Sequence, residues 1–375
     1  MKKIRVLQFT SGTFLGGVIE YVRIIASAIN YDKFEVIIIC KTEEIRQLLN
    51  AKLKDYPVKI ICLNIKDKFD IGGFKAFLNF VKEQNIDILH IHLANIYSPT
   101  IVSLSGLFRK LKVFWTIHST HVLPTTKETW FRYKTIEWAS RLTQHVIAPS
   151  KAIVSELRDR FNISGKKIMY VQNGVDVIRF HPEVKAKRDE LKIAPDVIVI
   201  GTTGCLNPEK DHYSIIKAFK QVAGKYNHVK LLIVGTGLLD DKLKQFAENL
   251  GVREKVIFTG YRPDIPEMLA SMDIFTFAST NENMPLSVLE AMAMTKPIIT
   301  TNAGGISEII INDQTGWIVP MLSPTSIAKK IIYCMENKTK ASELGKNARQ
   351  LVLEKYTNKR MVETLERLYL QCSRE

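Results

Sequence analysis

Short apolar runs alternate along the chain with longer segments whose apolar residues recur at helical spacing. In the first half the apolar runs predict six strands, at 4–9, 34–40, 58–63, 87–92, 112–118 and 145–150. Helical periodicity predicts helices between them, for example over 17–30 and 72–85. Buried strands that alternate with helices are typical of a parallel sheet covered on both faces. The pattern therefore predicts an α/β fold.

The same pattern begins again in the second half. Apolar runs predict strands at 196–204, 229–237, 255–260, 273–279, 296–301 and 316–320. The stretch before them is charged and bracketed by prolines, which is typical of a linker. We therefore predict an N-terminal Rossmann-like domain over 1–182, a linker over 183–195, a C-terminal Rossmann-like domain over 196–350, and a C-terminal helix over 351–375 that packs back toward the N-terminal domain. Two such domains facing one another across a cleft would bind ligands at the carboxyl ends of their strands.

Composition is ordinary for a globular protein, with 46% apolar and 24% charged residues, which excludes a wholly disordered or coiled-coil chain. The five cysteines are far apart and never spaced as CxxC, which favours reduced thiols in a cytoplasm over disulfides or a zinc ribbon. The N-terminus does not resemble a signal peptide. The window 88–108 lacks charged residues, but its polar side chains favour a strand and a helix over a membrane span.

The net charge of +15 is concentrated in the first half of the chain. Residues 1–185 carry 28 Lys and Arg against 16 Asp and Glu, a net charge of +12, whereas residues 186–375 carry 25 against 22, a net charge of +3. Such asymmetry indicates an anionic partner of the basic half: nucleic acid, phospholipid or a phosphorylated substrate. A lysine-rich solvated surface is the alternative, and composition alone does not choose.

Several motifs that carry chemistry are absent. There is no G-x-G-x-x-G, no P-loop and no D-x-D, which disfavours a dehydrogenase and a metal-clamped sugar nucleotide. Neither an RNP motif nor zinc-finger spacing occurs, so we expect no nucleic-acid partner. His90 and His92 lie on the same side of a predicted strand, where we expect a buried, hydrogen-bonded pair and not a metal site. We expect no metal and no required cofactor.

The segment 278–310 carries the candidate chemistry. Glu282 lies in the loop after a predicted strand, and Pro285 suits the entry to a helix over 286–294. The free backbone N–H groups at that helix start, on Leu286, Ser287 and Val288, would form an anion site suited to a diphosphate. The loop carboxylate of Glu282 can accept hydrogen bonds from sugar hydroxyls, and Glu290 can reach ribose hydroxyls. Alone, two glutamates eight residues apart are a weak signal, and an ordinary capped helix explains them.

The order of motifs along the chain is more specific. It runs from TFLGGVIEYV (13–22) through DILHIH (87–92), FWTIHST (114–120) and QNGVDVIRFHP (172–182) to LLIVGTG, VIFTGY, ENMPLSVLEAMA and GGISEII followed by TGWIV. Over nearly the whole chain this order resembles the retaining glycosyltransferases of family 4, which have two facing Rossmann-like domains (the GT-B fold). The resemblance implies that the N-terminal domain holds the acceptor and the C-terminal domain the nucleotide sugar.

The resemblance also implies the site. Its catalytic residues would be Glu282, His118 and Lys210. Its donor-binding residues would be Gly16, Gly17, Lys210, Arg262, Glu282, Asn283, Met284, Pro285, Leu286, Ser287, Val288 and Glu290. One departure stands out: Cys205 lies where the family usually has an arginine that pairs with the donor phosphates. A thiol cannot make the bidentate phosphate pairing of a guanidinium, and we expect Arg262 or another cation to compensate.

The implied reaction moves a hexose or N-acetylhexosamine from a nucleotide diphosphate sugar, with UDP as the expected nucleotide. The acceptor would be a hydroxyl of a glycan or of a polyprenyl-diphosphate-linked glycan, and the anomeric configuration would be retained. The enzyme would act in the cytoplasm, on a glycan that becomes part of a cell-surface polysaccharide (capsule). A non-catalytic glycosyltransferase-like partner subunit and another GT-B enzyme, such as a 2-epimerase, are the alternatives. The oligomeric state stays open.

The basic half also carries a predicted membrane-facing or acceptor surface. Cations lie beside aromatic residues in two segments, which is typical of an interfacial surface. The predicted surface consists of Arg109, Lys110, Lys112, Trp130, Arg132 and Lys134. It would suit a peripheral enzyme at the inner face of the cell membrane acting on a lipid-linked acceptor, whereas aromatics in a core and solvated cations are the alternative.

Overall fold

The computed structural model describes residues 2–10, 16–63, 71–92, 111–118 and 127–374, without the side chains of 71, 127–133 and 374. Contacts between Cα atoms divide the chain into two compact units. Unit 1 comprises Met1–Asn173 and Asn358–Glu375, and unit 2 comprises Gly174–Thr357.

Unit 1 is built on a parallel seven-stranded sheet. Its strands are β1 Ile4–Thr10, β2 Phe34–Cys40, β3 Lys59–Cys62, β4 Ile88–His92, β5 Lys112–Thr116, β6 His145–Ala148 and β7 Ile168–Tyr170. They lie side by side in the order β3-β2-β1-β4-β5-β6-β7. Its described helices are α1 Gly17–Ala28, α2 Glu43–Lys52, α3 Ile71–Glu83, α4 Lys127–Leu142, α5 Lys151–Asp159 and, at the end of the chain, α13 Asn358–Arg374.

Unit 2 is built on a parallel six-stranded sheet. Its strands are β8 Ile198–Thr203, β9 Val229–Val234, β10 Val256–Phe258, β11 Ile274–Phe277, β12 Ile298–Thr301 and β13 Trp317–Val319. They lie side by side in the order β10-β9-β8-β11-β12-β13. Its helices are α6 His212–Ala223, α7 Asp240–Asn249, α8 Ile265–Ala270, α9 Leu286–Ala293, α10 Ile306–Ile309, α11 Pro324–Glu336 and α12 Lys338–Lys355, with 3₁₀ turns at Pro208–Lys210 and Arg253–Lys255.

Both sheets therefore have Rossmann-like strand order, and the predicted α/β class is confirmed. In each sheet the order reverses next to the first strand, between β1 and β4 in unit 1 and between β8 and β11 in unit 2. The loops that leave two such strands run to opposite sides and open a crevice at their carboxyl ends, which is where ligands bind in this fold. Each predicted strand forms, whereas the short β7, with its exposed Tyr170, was not predicted.

The units divide earlier than the predicted boundary at residue 182. Residues 183–195 are not a linker between them, because Ile193 is buried in the core of unit 2 and Val184 and Leu191 pack against the same core. The chain instead passes between units after Asn173 and after Thr357. The C-terminal helix α13 belongs to unit 1, where it packs on α1 and buries Tyr369 completely.

Candidate active site

The loops after β8, β11 and β12 are tied together through their backbones. The carbonyl of Glu209 accepts hydrogen bonds from the Thr280 N–H and from the Ser279 hydroxyl, each at 2.8 Å. The carbonyl of Glu282 accepts from the Gly305 N–H at 3.2 Å. These hydrogen bonds fix the backbone from Ser279 to Glu282, which carries the candidate carboxylate. The three loops leave adjacent strands at the point where the strand order of unit 2 reverses.

Lys210 and Glu282 form an ion pair in this position, between Nζ and Oε1. Both side chains are largely shielded, at 22% and 10% exposure. The Lys210 ammonium also lies 5.3 Å from the centre of the Phe277 ring, where the ring face adds a cation–π attraction. The structure therefore brings together two of the three predicted catalytic residues, as a charged pair with little solvent screening.

A sharp turn positions Lys210 for its ion pair with Glu282. The lysine ends the 3₁₀ turn Pro208–Lys210, and the next residue, Asp211, has a left-handed backbone with φ +44. Asp211 then caps α6, because its Oδ1 accepts a hydrogen bond from the Ser214 N–H at 3.2 Å. Asp and Asn tolerate this backbone region better than most residues. The positive φ of Asp211 redirects the chain, so that the 3₁₀ turn ends at Lys210 and α6 starts at His212.

Gly304 is a site residue that the sequence analysis missed. Its φ is +53, and a Cβ built on it would lie 1.7 Å from the carbonyl oxygen of Glu282. Only glycine fits both the left-handed backbone and this close approach. The loop after β12 therefore touches the backbone of Glu282 because residue 304 has no side chain, and the Gly-Gly pair in GGISEII was the available signal.

The helix predicted over 286–294 is α9, Leu286–Ala293, and the prediction is confirmed. Pro285 is its N-cap residue and gives no side-chain cap, and its first turn holds no acidic residue. The first N–H groups of a helix have no partner within the helix, so those of Leu286, Ser287 and Val288 can take an anion. The Val288 side chain is buried, as are Asn283 and Met284, so Val288 could contact a ligand there only through its backbone.

Glu290 lies on the same helix, half-buried, about one turn from the helix start. Arg262, which is predicted to compensate for the missing family arginine, already has two carboxylate partners. Its guanidinium donates to Asp264 at 2.6 and 2.8 Å and to Glu190 at 2.6 Å. Among the described residues its hydrogen-bond partners are these two carboxylates, and neither Lys210 nor Glu282 is one of them. Two carboxylates would therefore compete with a donor phosphate for its charge, and compensation by Arg262 or another cation stays a prediction.

Cys205 lies in the loop after β8 and is half-buried. Burial raises the pKa of its thiol, although the nearby Lys210 charge acts in the opposite direction. The thiol therefore stays protonated at neutral pH. It lies within the electrostatic reach of Lys210 and Glu282, so the departure from the family pattern falls inside the candidate site.

In unit 1 the candidate His118 follows β5, next to the point where that sheet reverses. Its Nε2 lies 3.3 Å from His92 Nδ1, and its ring packs edge-on against Tyr21 at 4.7 Å between centroids. Burial lowers the pKa of His118 to about 4. The imidazole is therefore neutral near pH 7 and offers one donor and one acceptor.

His90 and His92 form the buried, hydrogen-bonded pair that was predicted. Both are completely buried, and each ring makes hydrogen bonds to neighbouring side chains. Burial lowers the pKa of both rings well below the usual value. Among the described residues no group of three or more His, Cys, Asp and Glu could hold a metal ion.

The predicted glycine loop and surface lie partly outside the described residues. Gly16 is the N-cap of α1, and a Cβ on Gly17 would meet no described atom within 4 Å.

Of the predicted membrane-facing surface, Lys112 is half-buried at the start of β5, and Lys134 is exposed and pairs with Glu137 at 2.8 Å. Arg109 and Lys110, and the side chains of Trp130 and Arg132, lie outside the described residues. This surface stays a prediction. Within the described residues no helix is both long and apolar enough to span a bilayer.

Two protein-family models together match most of the chain. The model described as Glycosyltransferase Family 4 matches residues 15–179, and the model described as Glycosyl transferases group 1 matches residues 183–351. The chain belongs to glycosyltransferase family 4. The resemblance stated from the motifs is thereby confirmed, and the two models meet close to the point at which the chain passes from unit 1 to unit 2.

Curated relatives and a solved structure agree with this assignment. The enzyme is 24% identical over 309 residues to the N-acetyl-alpha-D-glucosaminyl L-malate synthase of Bacillus anthracis, covering 82% of this chain and 80% of the relative. It is 24% identical over 354 residues, 90% of this chain and 89% of the relative, to the UDP-Gal:alpha-D-GlcNAc-diphosphoundecaprenol alpha-1,3-galactosyltransferase of Escherichia coli. Anabaena HepE, solved with UDP, superposes with a TM-score of 0.82 at 19% identity, covering 98% of this chain and 100% of HepE. The enzyme is therefore a glycosyltransferase with the GT-B fold.

Proposed function

We propose that this glycosyltransferase moves a hexose or N-acetylhexosamine from a UDP-sugar to a hydroxyl of a glycan or polyprenyl-diphosphate-linked glycan, with retention. The Escherichia coli relative, a UDP-Gal:alpha-D-GlcNAc-diphosphoundecaprenol alpha-1,3-galactosyltransferase, supports a UDP donor and a lipid-linked acceptor. HepE, with the same fold, has been solved with UDP-glucose. Both concern other proteins; in this chain the local chemistry of unit 2 supports the diphosphate part of such a donor.

The observation that carries the proposal is the Lys210–Glu282 pair beside the start of α9. A diphosphate leaving group gains negative charge as the glycosidic bond breaks. Lys210 and the N–H groups of Leu286, Ser287 and Val288 are fixed donors that stabilise such charge without reorganisation. Lys210 would exchange part of its contact with Glu282 for a donor phosphate, and Glu282 would accept hydrogen bonds from the sugar hydroxyls.

Retention follows from a same-face displacement. The bond between the anomeric carbon and the diphosphate oxygen breaks while the acceptor oxygen bonds that carbon on the same face. The acceptor proton passes to the departing diphosphate, so atoms and charge balance without an enzyme ester. His118, neutral at pH 7, would hydrogen-bond the transferred sugar or the acceptor, and Glu290 the ribose.

Cys205 favours a second candidate, a glycosyltransferase-like subunit without catalysis. A phosphate contact from an arginine is absent at this position, and Arg262 is held elsewhere by Asp264 and Glu190. Losing a charge-assisted hydrogen bond costs roughly 1.5–3 kcal/mol of donor binding. The intact Lys210–Glu282 pair favours the active enzyme.

Thermal unfolding with a panel of UDP- and GDP-sugars and free nucleotides tests the proposal. A ligand that binds the folded state raises Tm by mass action, equivalent to about 2.7 kcal/mol at 100 times Kd. We expect one UDP-sugar to raise Tm, and Glu290→Ala to reduce that shift. The control is Glu343→Ala, an exposed glutamate of unit 2 on α12. No shift with any nucleotide sugar would refute the donor site and favour the non-catalytic subunit.

A further inference from the structure

A continuous line of hydrogen bonds joins the C-terminal helix to the candidate His118 within unit 1. Tyr369 of α13 accepts a hydrogen bond from Gln8 Nε2 at 3.4 Å. Gln8 Oε1 lies 2.6 Å from His92 Nε2, and His92 Nδ1 lies 3.3 Å from His118 Nε2. Tyr369, Gln8 and His92 are completely buried, so no solvent competes for these bonds. We call these four residues the relay.

The relay determines where each proton lies. Gln8 Oε1 is an acceptor, so His92 carries its proton on Nε2. A neutral imidazole has one ring proton, which leaves His92 Nδ1 bare and able only to accept. His118 Nε2 must then donate to it. His118 is therefore held in the tautomer with its proton on Nε2 and an acceptor lone pair on Nδ1.

A second hydrogen bond of the Tyr369 hydroxyl constrains the direction of its hydrogen bond with Gln8. The Tyr369 hydroxyl also bonds His90 Nδ1, and His90 Nε2 lies 2.7 Å from the Thr116 hydroxyl. A hydroxyl has one proton, so a Tyr369 that donates to His90 must accept from Gln8. A Tyr369 oxygen that instead accepts from both Gln8 and His90 leaves the protons of His92 and His118 unchanged. Only a reversed Gln8 amide would reverse them, and Gln8 Nε2 lies toward Tyr369.

We propose that Gln8 and Tyr369 are positioning residues that hold His118 in the Nε2–H tautomer. Buried hydrogen-bonded partners set the tautomer of functional histidines in general. With its proton committed to His92, His118 keeps its lone pair on Nδ1, and a nitrogen in this form can accept a hydrogen bond from a sugar or acceptor hydroxyl. The catalytic consequence rests on the proposed function, whereas the tautomer rests on the geometry of unit 1 alone.

A purely structural role of Tyr369 is the rival explanation, because its ring packs edge-on against Phe114 at 5.2 Å and against Phe34 at 6.0 Å. Tyr369→Phe keeps that ring and removes only the hydroxyl. The matched control is Tyr31→Phe, which removes another unit 1 hydroxyl that donates to a backbone carbonyl, that of Ala26, at 2.6 Å. Gln8→Met, which keeps the length of the side chain and removes its amide, is the second variant.

The tautomer is measured on the full-length protein, labelled with ¹⁵N-histidine, by long-range ¹H–¹⁵N spectra near pH 7.5. Loss of a resonance pair in His118→Ala assigns His118. We expect one Nε2–H tautomer in the wild type and in Tyr31→Phe, and an added Nδ1–H population in Tyr369→Phe and Gln8→Met. A wild-type His118 protonated on Nδ1, or a tautomer unchanged in both relay variants, would overturn the proposal.

Turnover provides the second readout. The assay follows UDP release from UDP-glucose or UDP-N-acetylglucosamine, whichever raises Tm more. In Tyr369→Phe we expect kcat to fall about three- to tenfold, the effect of one buried hydrogen bond, with the donor KM unchanged. A changed tautomer with the kcat of Tyr31→Phe would refute the positioning role. Wild-type turnover in His118→Ala would instead refute the proposed role of His118, and the spectra would still decide the tautomer.

Discussion

The two units have the same strand order but place opposite chemistry where that order reverses. In unit 1 the ends of β1, β4 and β5 carry Gln8, His92 and His118, a neutral hydrogen-bonded set. In unit 2 the loops after β8 and β11 carry a charged pair, Lys210 and Glu282. Topology thus determines where a site forms, and a few side chains determine its chemistry.

The difference follows from solvation. The unit 1 set is buried deeply enough that burial lowers the pKa of His118 to about 4 and keeps the ring neutral. The Lys210–Glu282 side chains are largely shielded from solvent and attract each other as an ion pair. A neutral histidine suits recognition of hydroxyls, and an ammonium beside a helix start suits a diphosphate. The proposed function assigns the acceptor and the donor accordingly.

The largest expected effect comes from breaking the charged site of unit 2. Lys210→Met and Glu282→Ala should each lower kcat on the order of 100-fold or more, because fixed charges that stabilise a transition state contribute that much. Lys187→Met is the matched control, since Lys187 forms an ion pair with Asp264 at 2.6 Å in the same unit. Steady-state UDP release measures the effect. Near-normal turnover in Glu282→Ala would refute its role.

Gly304→Ala should have an intermediate effect, because it displaces Glu282 without removing it. The left-handed backbone and the contact with the Glu282 carbonyl should cost about 1–3 kcal/mol of stability and lower kcat about tenfold. Gly224→Ala is the control, since its φ is −74 and a Cβ there lies 3.5 Å from its nearest neighbour. Equal unfolding free energies and equal kcat in the two variants would contradict the account of Gly304.

The smallest effect is a difference in acid sensitivity between the units. Burial lowers the pKa of His90, His92 and His118 below the value of about 6.5 expected in the unfolded chain. The unfolded state then binds more protons below pH 6.5, so this stability is complete above that pH and is lost as the pH falls toward 4.

Unit 2 buries one described histidine of this kind, His212, with a pKa of about 3. Hydrogen exchange between pH 7 and 5, corrected for the intrinsic rate, should therefore show β1, β4 and β5 losing protection before β8 and β11. Equal loss in both sheets, or earlier loss in unit 2, would contradict this prediction.

Much of the site could be predicted because its signals are local. Pro285 before an apolar helix indicates the start of α9, and the loop position of Glu282 follows from the strand before it. Gly304, Gln8 and Tyr369 were missed for a common reason. Each acts through a partner distant in the sequence: Gly304 through the Glu282 carbonyl, and Gln8 and Tyr369 through each other.

The amino-acid sequence by itself determined the α/β class, the strands and the motifs that identify the family, because hydrophobic periodicity and glycine or proline placement act over a few residues. The tertiary structure decided the rest. In it, residues 183–195 pack in the core of unit 2, and Arg262 forms ion pairs with Asp264 and Glu190. Tyr369 of α13 is hydrogen-bonded to Gln8, which is hydrogen-bonded to His92. These outcomes depend on which side chains meet across the fold, and no local pattern records that.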